Sequence, residues 1–264
     1  MTDLASQARD FAETLANEAA HMIQQAAGQA HDVELKSVGD WCSALDRGIE
    51  AHLKARIADR YPDHGFLGEE SAKTEVRDGL LWVVDPIDGS MNFLRGYPQY
   101  SVSIALLSDG EPIAACIMDP CRQEVFSAAY QQGSTLNGKR LQVAGTDQLP
   151  LAIATTVFPK PQAASLPEYL TQFGRAVSTV AGVRRSGSMA LELAYLAAGR
   201  VDVFWSHDMG SWDAAAGVLL IREAGGQVFT LDGLVWHESR RISAATPQLA
   251  RAWRQLICSN DSLL

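Results

Sequence analysis

The sequence predicts a mixed α and β fold, α+β in its first half and α/β in its second. Three observations predict it. The chain opens on apolar residues at helical spacing. Its middle alternates short apolar runs with Asp109-Gly110 and Asn137-Gly138, turn dipeptides of antiparallel hairpins. Beyond Leu149-Pro150, short apolar runs alternate with helical stretches, as in an α/β unit. The division is placed at residue 148, giving an α+β lobe over 1–148 and an α/β lobe over 149–264.

Taken in order, Leu4, Ala8, Phe11, Leu15, Met22, Ile23 and Ala26 share one face of a helix over 4–27, with Gly28 as its stop. Residues 35–40 read as a loop or short strand turn. A second helix starts at Ser43, carries Leu45, Ile49, Leu53 and Ile57 at steps of four, and ends at Tyr61-Pro62. Phe66-Leu67 is a short strand, and Leu80 to Val84 is a buried one by its continuous apolar character. Hairpins are predicted from Tyr100–Leu107 with Pro112–Met118, and from Val125–Ala129 with Leu141–Val143. In the second half, 153–157 is a strand and 166–173 a helix. Ser186 or Ser188 caps a helix that runs to Ala198 and stops at Gly199. A strand over 201–205, a helix over 212–224 stopped by Gly225-Gly226, a strand over 228–230 and a helix over 247–257 complete the reading.

The 264 residues are 47% hydrophobic, enough for a substantial core, and carry a net charge of −9. That charge argues against direct nucleic-acid binding, which runs on lysine and arginine. Cys42, Cys116, Cys121 and Cys258 form no CxxC pair and no zinc-finger spacing, so buried, reduced thiols are expected. No apolar run is long enough to span a bilayer, and the first residues lack the apolar segment of a signal peptide. A cytoplasmic protein without membrane contact is expected.

The chemistry concentrates in Trp82-Val83-Val84-Asp85-Pro86-Ile87-Asp88-Gly89-Ser90. An apolar strand ends in two aspartates, then a glycine and a hydroxyl. Rigid strand ends hold carboxylates in fixed geometry, and a Gly-Ser step offers backbone N–H groups to an anion. Two further acidic segments are Gly68-Glu69-Glu70-Ser71 and Trp212-Asp213-Ala214-Ala215-Ala216-Gly217, the latter leading to Glu223-Ala224-Gly225-Gly226. Singly, each has a plainer reading. Asp-Pro and Asp-Gly form turns, an acid in a first helical turn opposes the helix dipole, and Glu69-Glu70 is a solvated charge pair. If Glu69, Asp85, Asp88 and Asp213 converge, two charges about 4 Å apart repel by about 4 kcal/mol at an effective dielectric near 20. Such a cluster binds cations or takes up protons. All-oxygen donors favour Mg²⁺, Mn²⁺ or Ca²⁺ over zinc.

In this order and spacing the three blocks resemble the inositol monophosphatase family of magnesium-dependent, lithium-sensitive phosphatases, from about Leu35 to Gly226. The resemblance implies a layered αβαβα sandwich of the inositol monophosphatase and fructose-1,6-bisphosphatase type. It implies that Glu69, Asp85 and the Ile87 carbonyl hold one Mg²⁺, that Asp85, Asp88 and Asp213 hold a second, and that a weaker third ion lies near Glu69. Mn²⁺ as a substitute, inhibition by Li⁺ and Ca²⁺, and a homodimer come with it. So do catalytic roles for Asp46, Ser90 and Glu69. Asp46 completes a capping box with Ser43, and the resemblance adds a bond to Ser90, where the family has threonine, so that the pair orients and deprotonates the attacking water. Gly89, Ser90, Gly187, Ser188, Met189 and Ser206 match positions near the substrate. Lys36 matches a lysine of a loop over the site, and an ordinary surface lysine is its other reading.

The implied reaction is hydrolysis of a small phosphate monoester by a metal-activated water, with inositol monophosphate or a related sugar or polyol phosphate as substrate. Two departures keep the substrate open. Ser206 stands where the family has a glutamate that binds inositol hydroxyls, with His207 and Asp208 as replacements to weigh, and Met189 replaces an alanine. Trp205 reads either as a stacking platform or as a buried strand-end residue. Histidinol phosphate and nucleotide 3′-phosphates remain alternatives. Two non-catalytic alternatives are an accessory factor for transcription or RNA assembly, as some bacterial relatives are, and a metal-bound structural protein.

Overall fold

The structure, a computed structural model, describes residues 2–28, 33–37, 40–71 and 79–258. Helix α1 (Thr2–Ala26) is followed by the antiparallel pair β1 (Val33–Ser37) and β2 (Asp40–Ser43), then by α2 (Ala44–Arg60). A seven-stranded sheet follows in chain order: β3 (Gly65–Gly68), β4 (Leu80–Asp88), β5 (Ser101–Ser108), β6 (Glu111–Asp119), β7 (Glu124–Ala129), β8 (Gly133–Leu136) and β9 (Lys139–Arg140). Only its first pair, β3 with β4, runs parallel. The short helix α3 (Ser90–Leu94) sits between β4 and β5.

The second sheet has five strands. The chain runs β10 (Ile153–Val157), α4 (Leu166–Thr179), β11 (Gly182–Arg184), α5 (Met189–Ala197), β12 (Val203–Ser206), α6 (Ser211–Glu223), β13 (Gln227–Thr230), β14 (Ile242–Ala245) and α7 (Ala250–Cys258). Its spatial order is β11-β10-β12-β14-β13, with β10 parallel to both neighbours and β14 antiparallel to both of its own.

Strand alternation sorts the side chains into three cores. Trp82 and Val84 of β4, Ile104 and Leu106 of β5, and Cys116 and Met118 of β6 face α1 and α2. Val83, Ala105, Leu107 and Ile117, on the opposite faces of those strands, meet α5 and α6. In the second sheet Phe204 faces α5 and α6, while Val203 and Trp205 face α4 and α7. A strand with both faces buried must be apolar throughout, which is why Leu80–Val84 carries no polar residue. The result is five layers, helix, sheet, helix, sheet, helix, with α5 and α6 as the shared middle. The predicted mixed fold and the αβαβα layering both stand. Among the described residues no helix is long and apolar enough to cross a membrane.

Several elements differ from the sequence reading. Asn137-Gly138 turns β8 into β9, so the partner of β7 is 133–136. Residues 141–143 form no strand; Leu141 and Val143 instead donate to the carbonyls of Ser134 and Ala224. Helix α4 runs past Phe173 to Thr179 because Tyr169, Gln172 and Ala176 continue a buried face. Residues 182–184 and 242–245 are additional strands. None of the four cysteines forms a disulfide, but Cys121 and Cys258 are exposed, against the expected burial. Trp205 is fully buried and stacks on Tyr169, so it is a core residue rather than a platform.

Candidate active site

The site begins with an irregularity in β4. On a regular strand, residues three apart face opposite ways. Between Asp85 and Asp88 the pairing with β5 shifts, so that three steps on β4 match two on β5, from Ser103 to Ser101. Pro86 has no N–H to give the ladder, so the break falls there. The extra residue brings both carboxylates to one side.

Asp213 reaches the same place from the first turn of α6. One ligand oxygen each from Asp85, Asp88 and Asp213 lie within 4.8 Å of one another, and all three residues are buried. Ile87 N–H donates to Asp85 Oδ1 at 3.0 Å, and Gly210 N–H donates to Asp213 Oδ2 at 2.8 Å. Asp88 is held by the N-terminus of α5. Met189 N–H reaches its Oδ1 at 3.0 Å, and Ala190 N–H its Oδ2 at 2.8 Å. The Ser188 and Ser101 hydroxyls also donate to Oδ2.

Burial, then the charges of Glu69, Asp88 and Asp213, pushes the Asp85 carboxyl well above the ordinary range. Asp213 is likewise raised, first by burial and then by Asp88 and Glu69. Asp88 is raised by burial against the opposing pull of its hydrogen-bond donors. Three buried acids that gain no cationic side chain among the described residues form an all-oxygen donor set, and that set fits a hard divalent cation.

Glu69 follows β3, is anchored by its N–H on the Val84 carbonyl at 3.2 Å, and lines the same cavity outside the tight trio. Asp46 sits in the first turn of α2. Its Oδ2 accepts the Ser43 N–H at 2.9 Å, and the Ser43 Oγ accepts the Asp46 N–H at 3.3 Å, closing the capping box. Its Oδ1 lies 2.7 Å from the Ser90 hydroxyl, which is also 2.9 Å from the Ile87 carbonyl. The capping box and the bond to Ser90 therefore coexist on Asp46.

The cavity holds about 520 Å³ and is lined by Glu69, Asp85, Ile87, Asp88, Gly89, Ser90 and Asp213, with Gly187 and Met189 on its side. Gly89 caps α3 at φ 92°, where a Cβ would meet the Gln99 carbonyl at 3.1 Å and the Gly187 carbonyl at 3.3 Å. Ser188 is fully buried against Asp88, and Ser206 is fully buried with its hydroxyl 3.3 Å from the His207 carbonyl; neither lines the cavity. His207 and Asp208 do line it. Lys36 lies on β1, and its side chain is outside the described set.

Sequence reasoning missed three supports. Asn92 Nδ2 donates to the Gln99 carbonyl at 2.7 Å and the Ser186 carbonyl at 2.9 Å, tying α3 to the loop before α5. Buried Glu192 accepts the Ser186 N–H at 2.9 Å and also the Thr155 hydroxyl. Arg240 reaches the cavity from a distant loop. Asn92 follows the acidic block directly and could have been flagged; a bare Glu in a helix and an Arg-Arg pair give no such signal.

A profile described as the inositol monophosphatase family matches residues 4–261. A Rhizobium meliloti protein named inositol-1-monophosphatase is 37% identical over 254 residues, covering 96% of this chain and 90% of the relative. A Pseudomonas aeruginosa protein named Nus factor SuhB is 42% identical over 206 residues, 76% of each chain. The crystal structure of the extragenic suppressor protein SuhB from Bartonella henselae superposes with a TM-score of 0.89 at 33% identity, covering 94% of this chain and 97% of that one.

Proposed function

The chain belongs to the inositol monophosphatase family, and from that premise we propose that it is a phosphoric monoester hydrolase that acts on a small phosphate ester with magnesium. The observation that carries the reading is the buried meeting of Asp85, Asp88 and Asp213 within 4.8 Å. Relatives named inositol-1-monophosphatase put inositol monophosphate and related polyol phosphates first among candidate substrates.

Asp85, Asp88 and Asp213, with Glu69 and the Ile87 carbonyl beside them, are the groups that would hold Mg²⁺. When bound, the cation acidifies water and neutralises charge on the phosphoryl oxygens. Ser90 passes a proton toward Asp46: its oxygen accepts from the attacking water as its own O–H donates to Asp46 Oδ1, 2.7 Å away. The Asp46 carboxylate is fixed for this by the Ser43 N–H and hydroxyl, which both donate to its Oδ2. The amides at the start of α3 offer donors to the phosphoryl group, and Gly89 lets the backbone approach without a Cβ in the way. Asp88 would be held ready for the cation by the donors of Ser188, Met189 and Ala190 at the start of α5. A homodimer, a cytoplasmic location, more than one Mg²⁺ and inhibition by Li⁺ belong to the same proposal.

Phosphate release from a panel of monoesters, with Mg²⁺ and with a chelator, tests it. Turnover in Mg²⁺ that the chelator abolishes and lithium inhibits is expected. Absence of release from every ester in Mg²⁺ would sink the reading.

A second reading has its own observation, the relatives named Nus factor SuhB. Under it the chain acts by binding a transcription component. With a net charge of −9, the partner is a basic protein surface rather than bare RNA. Turnover by the purified chain, without a partner, separates the two.

A further inference from the structure

The cavity above the acidic trio has a second chemical character. Its outer wall carries Lys160, Arg185 and Arg240 beside Phe158 and Leu170. Phe158 is 45% exposed and Leu170 55%, both large apolar side chains open to the cavity. The Arg185 guanidinium lies 5.2 Å over the Phe158 ring. Arg240 Nη2 donates to the Asp208 carbonyl at 3.1 Å, whereas its neighbour Arg241 pairs with Glu168 at 2.5 Å. Among the described residues neither Arg185 nor Arg240 has a carboxylate partner within ion-pair distance. Asp208 is the acid on this wall, and its Oδ2 accepts the Ser165 hydroxyl at 2.5 Å. The Arg185 and Arg240 guanidinium groups against the Asp208 carboxylate leave the wall net positive, in a chain whose total charge is −9.

A neutral polyol phosphate engages the acidic floor through its phosphate and leaves the Arg185 and Arg240 guanidinium groups without an anion. Guanidinium groups already held by a ring and by a backbone carbonyl lose little freedom when they take an anion, and their planar donors match a phosphate in two-pronged fashion. We propose that this wall is an anion subsite, so that the site favours phosphate monoesters carrying a second phosphate over neutral polyol phosphates. The inference rests on the phosphatase reading above and narrows its substrate class.

The test compares matched pairs, inositol 1-phosphate with inositol 1,4-bisphosphate and fructose 6-phosphate with fructose 1,6-bisphosphate, assayed in Mg²⁺. In the wild type, kcat/KM for the bisphosphate of at least one pair exceeds that of its partner by about tenfold, a free-energy difference of about 1.4 kcal/mol. That is well beyond the twofold gained by having two phosphates, and it appears in KM. Arg240→Ala and Arg185→Ala each narrow the ratio, the double variant brings it to about two, and Arg240→Lys restores part of it. Ionic strength near 1 M, where the Debye length is about 3 Å, narrows it as well. Hydrolysis of both members of every pair at matched kcat/KM overturns the anion subsite while leaving the phosphatase reading intact. So does a preference that survives in the double variant. If no ester of either kind is hydrolysed, the phosphatase reading falls first and the subsite with it.

Discussion

Both carboxylate oxygens of Asp88 are taken by donors from the far half of the chain: Ser188, Met189 and Ala190. Asp88→Asn keeps the shape but replaces one acceptor oxygen by an NH₂ facing N–H donors. A buried donor left without a partner costs about 1–3 kcal/mol, while the relief of like charges within the trio offsets part of that. The expected outcome is a folded protein, with turnover in saturating Mg²⁺ reduced at least a hundredfold and Mg²⁺-induced thermal stabilisation lost. Near wild-type turnover contradicts it. Asp85 and Asp88 were legible because they sit three residues apart; the grip of Ser188 on Asp88 was not, since the two are a hundred residues apart in sequence. His207 makes a separate prediction. Burial, then Arg241, lowers its pKa below 6.5 while its Nε2 meets Gln172 Oε1 at 2.8 Å. The native state therefore binds fewer protons than the unfolded chain. The stability this neutral ring supports is complete above pH 6.5 and declines as pH falls below that value. In urea unfolding, His207→Gln loses less stability than wild type between pH 7.5 and 5, and an equal loss in both proteins refutes the assignment.

Among the elements, α3 is the most constrained for its size. It spans five residues and starts at a glycine with φ 92°, between the carbonyls of Gln99 and Gly187. Gly89→Ala pays about 1–2 kcal/mol for the left-handed backbone and must push the Gln99 and Gly187 carbonyls back by a few tenths of an ångström. Because α3 is small and enters a core only at its far end, through Phe93 and Leu94, the strain moves its first turn rather than unfolding the protein. Turnover is expected to drop about tenfold or more, with the melting temperature lowered by only a few degrees; unchanged kcat and KM would show that the turn has no part in the reaction. The same scale explains what the sequence could reveal. Helices α1 and α2 and strands β4 to β6 announce themselves by period and by turn dipeptides. Residues 133–136 and 242–245 are Gly-Ser-Thr-Leu and Ile-Ser-Ala-Ala, with neither alternation nor a β-branched run to mark them. They are strands because β7 in one sheet, and β12 and β13 in the other, need partners, a requirement that only the assembled sheets express.

At the scale of the whole molecule, two sheets share α5 and α6, and the acidic trio sits where one end of that middle layer meets β4. The helix starts that aim Asp213 and grip Asp88 are thus part of the main core, not appendages to it. This couples the charge state of the site to global stability. Asp85 and Asp213 are raised well above the 3.8 of an ordinary aspartate, chiefly by burial. Without a cation, the native protein holds these protons more tightly than the unfolded chain does. Stability then falls as pH rises from that ordinary value toward the raised native one, and is level beyond it. A divalent cation competes for the same oxygens, so its binding releases protons and strengthens with pH. It also adds stability by mass action, about 2.7 kcal/mol at a hundred times the dissociation constant. In scanning calorimetry the rise in Tm produced by Mg²⁺ over EDTA is expected to be larger at pH 8 than at pH 5. In titration calorimetry at neutral pH, the observed Mg²⁺ binding enthalpy should vary with the ionisation enthalpy of the buffer. A pH-independent Tm shift together with no buffer dependence would mean that the three carboxylates are already ionised without the metal, and that burial does not govern this site.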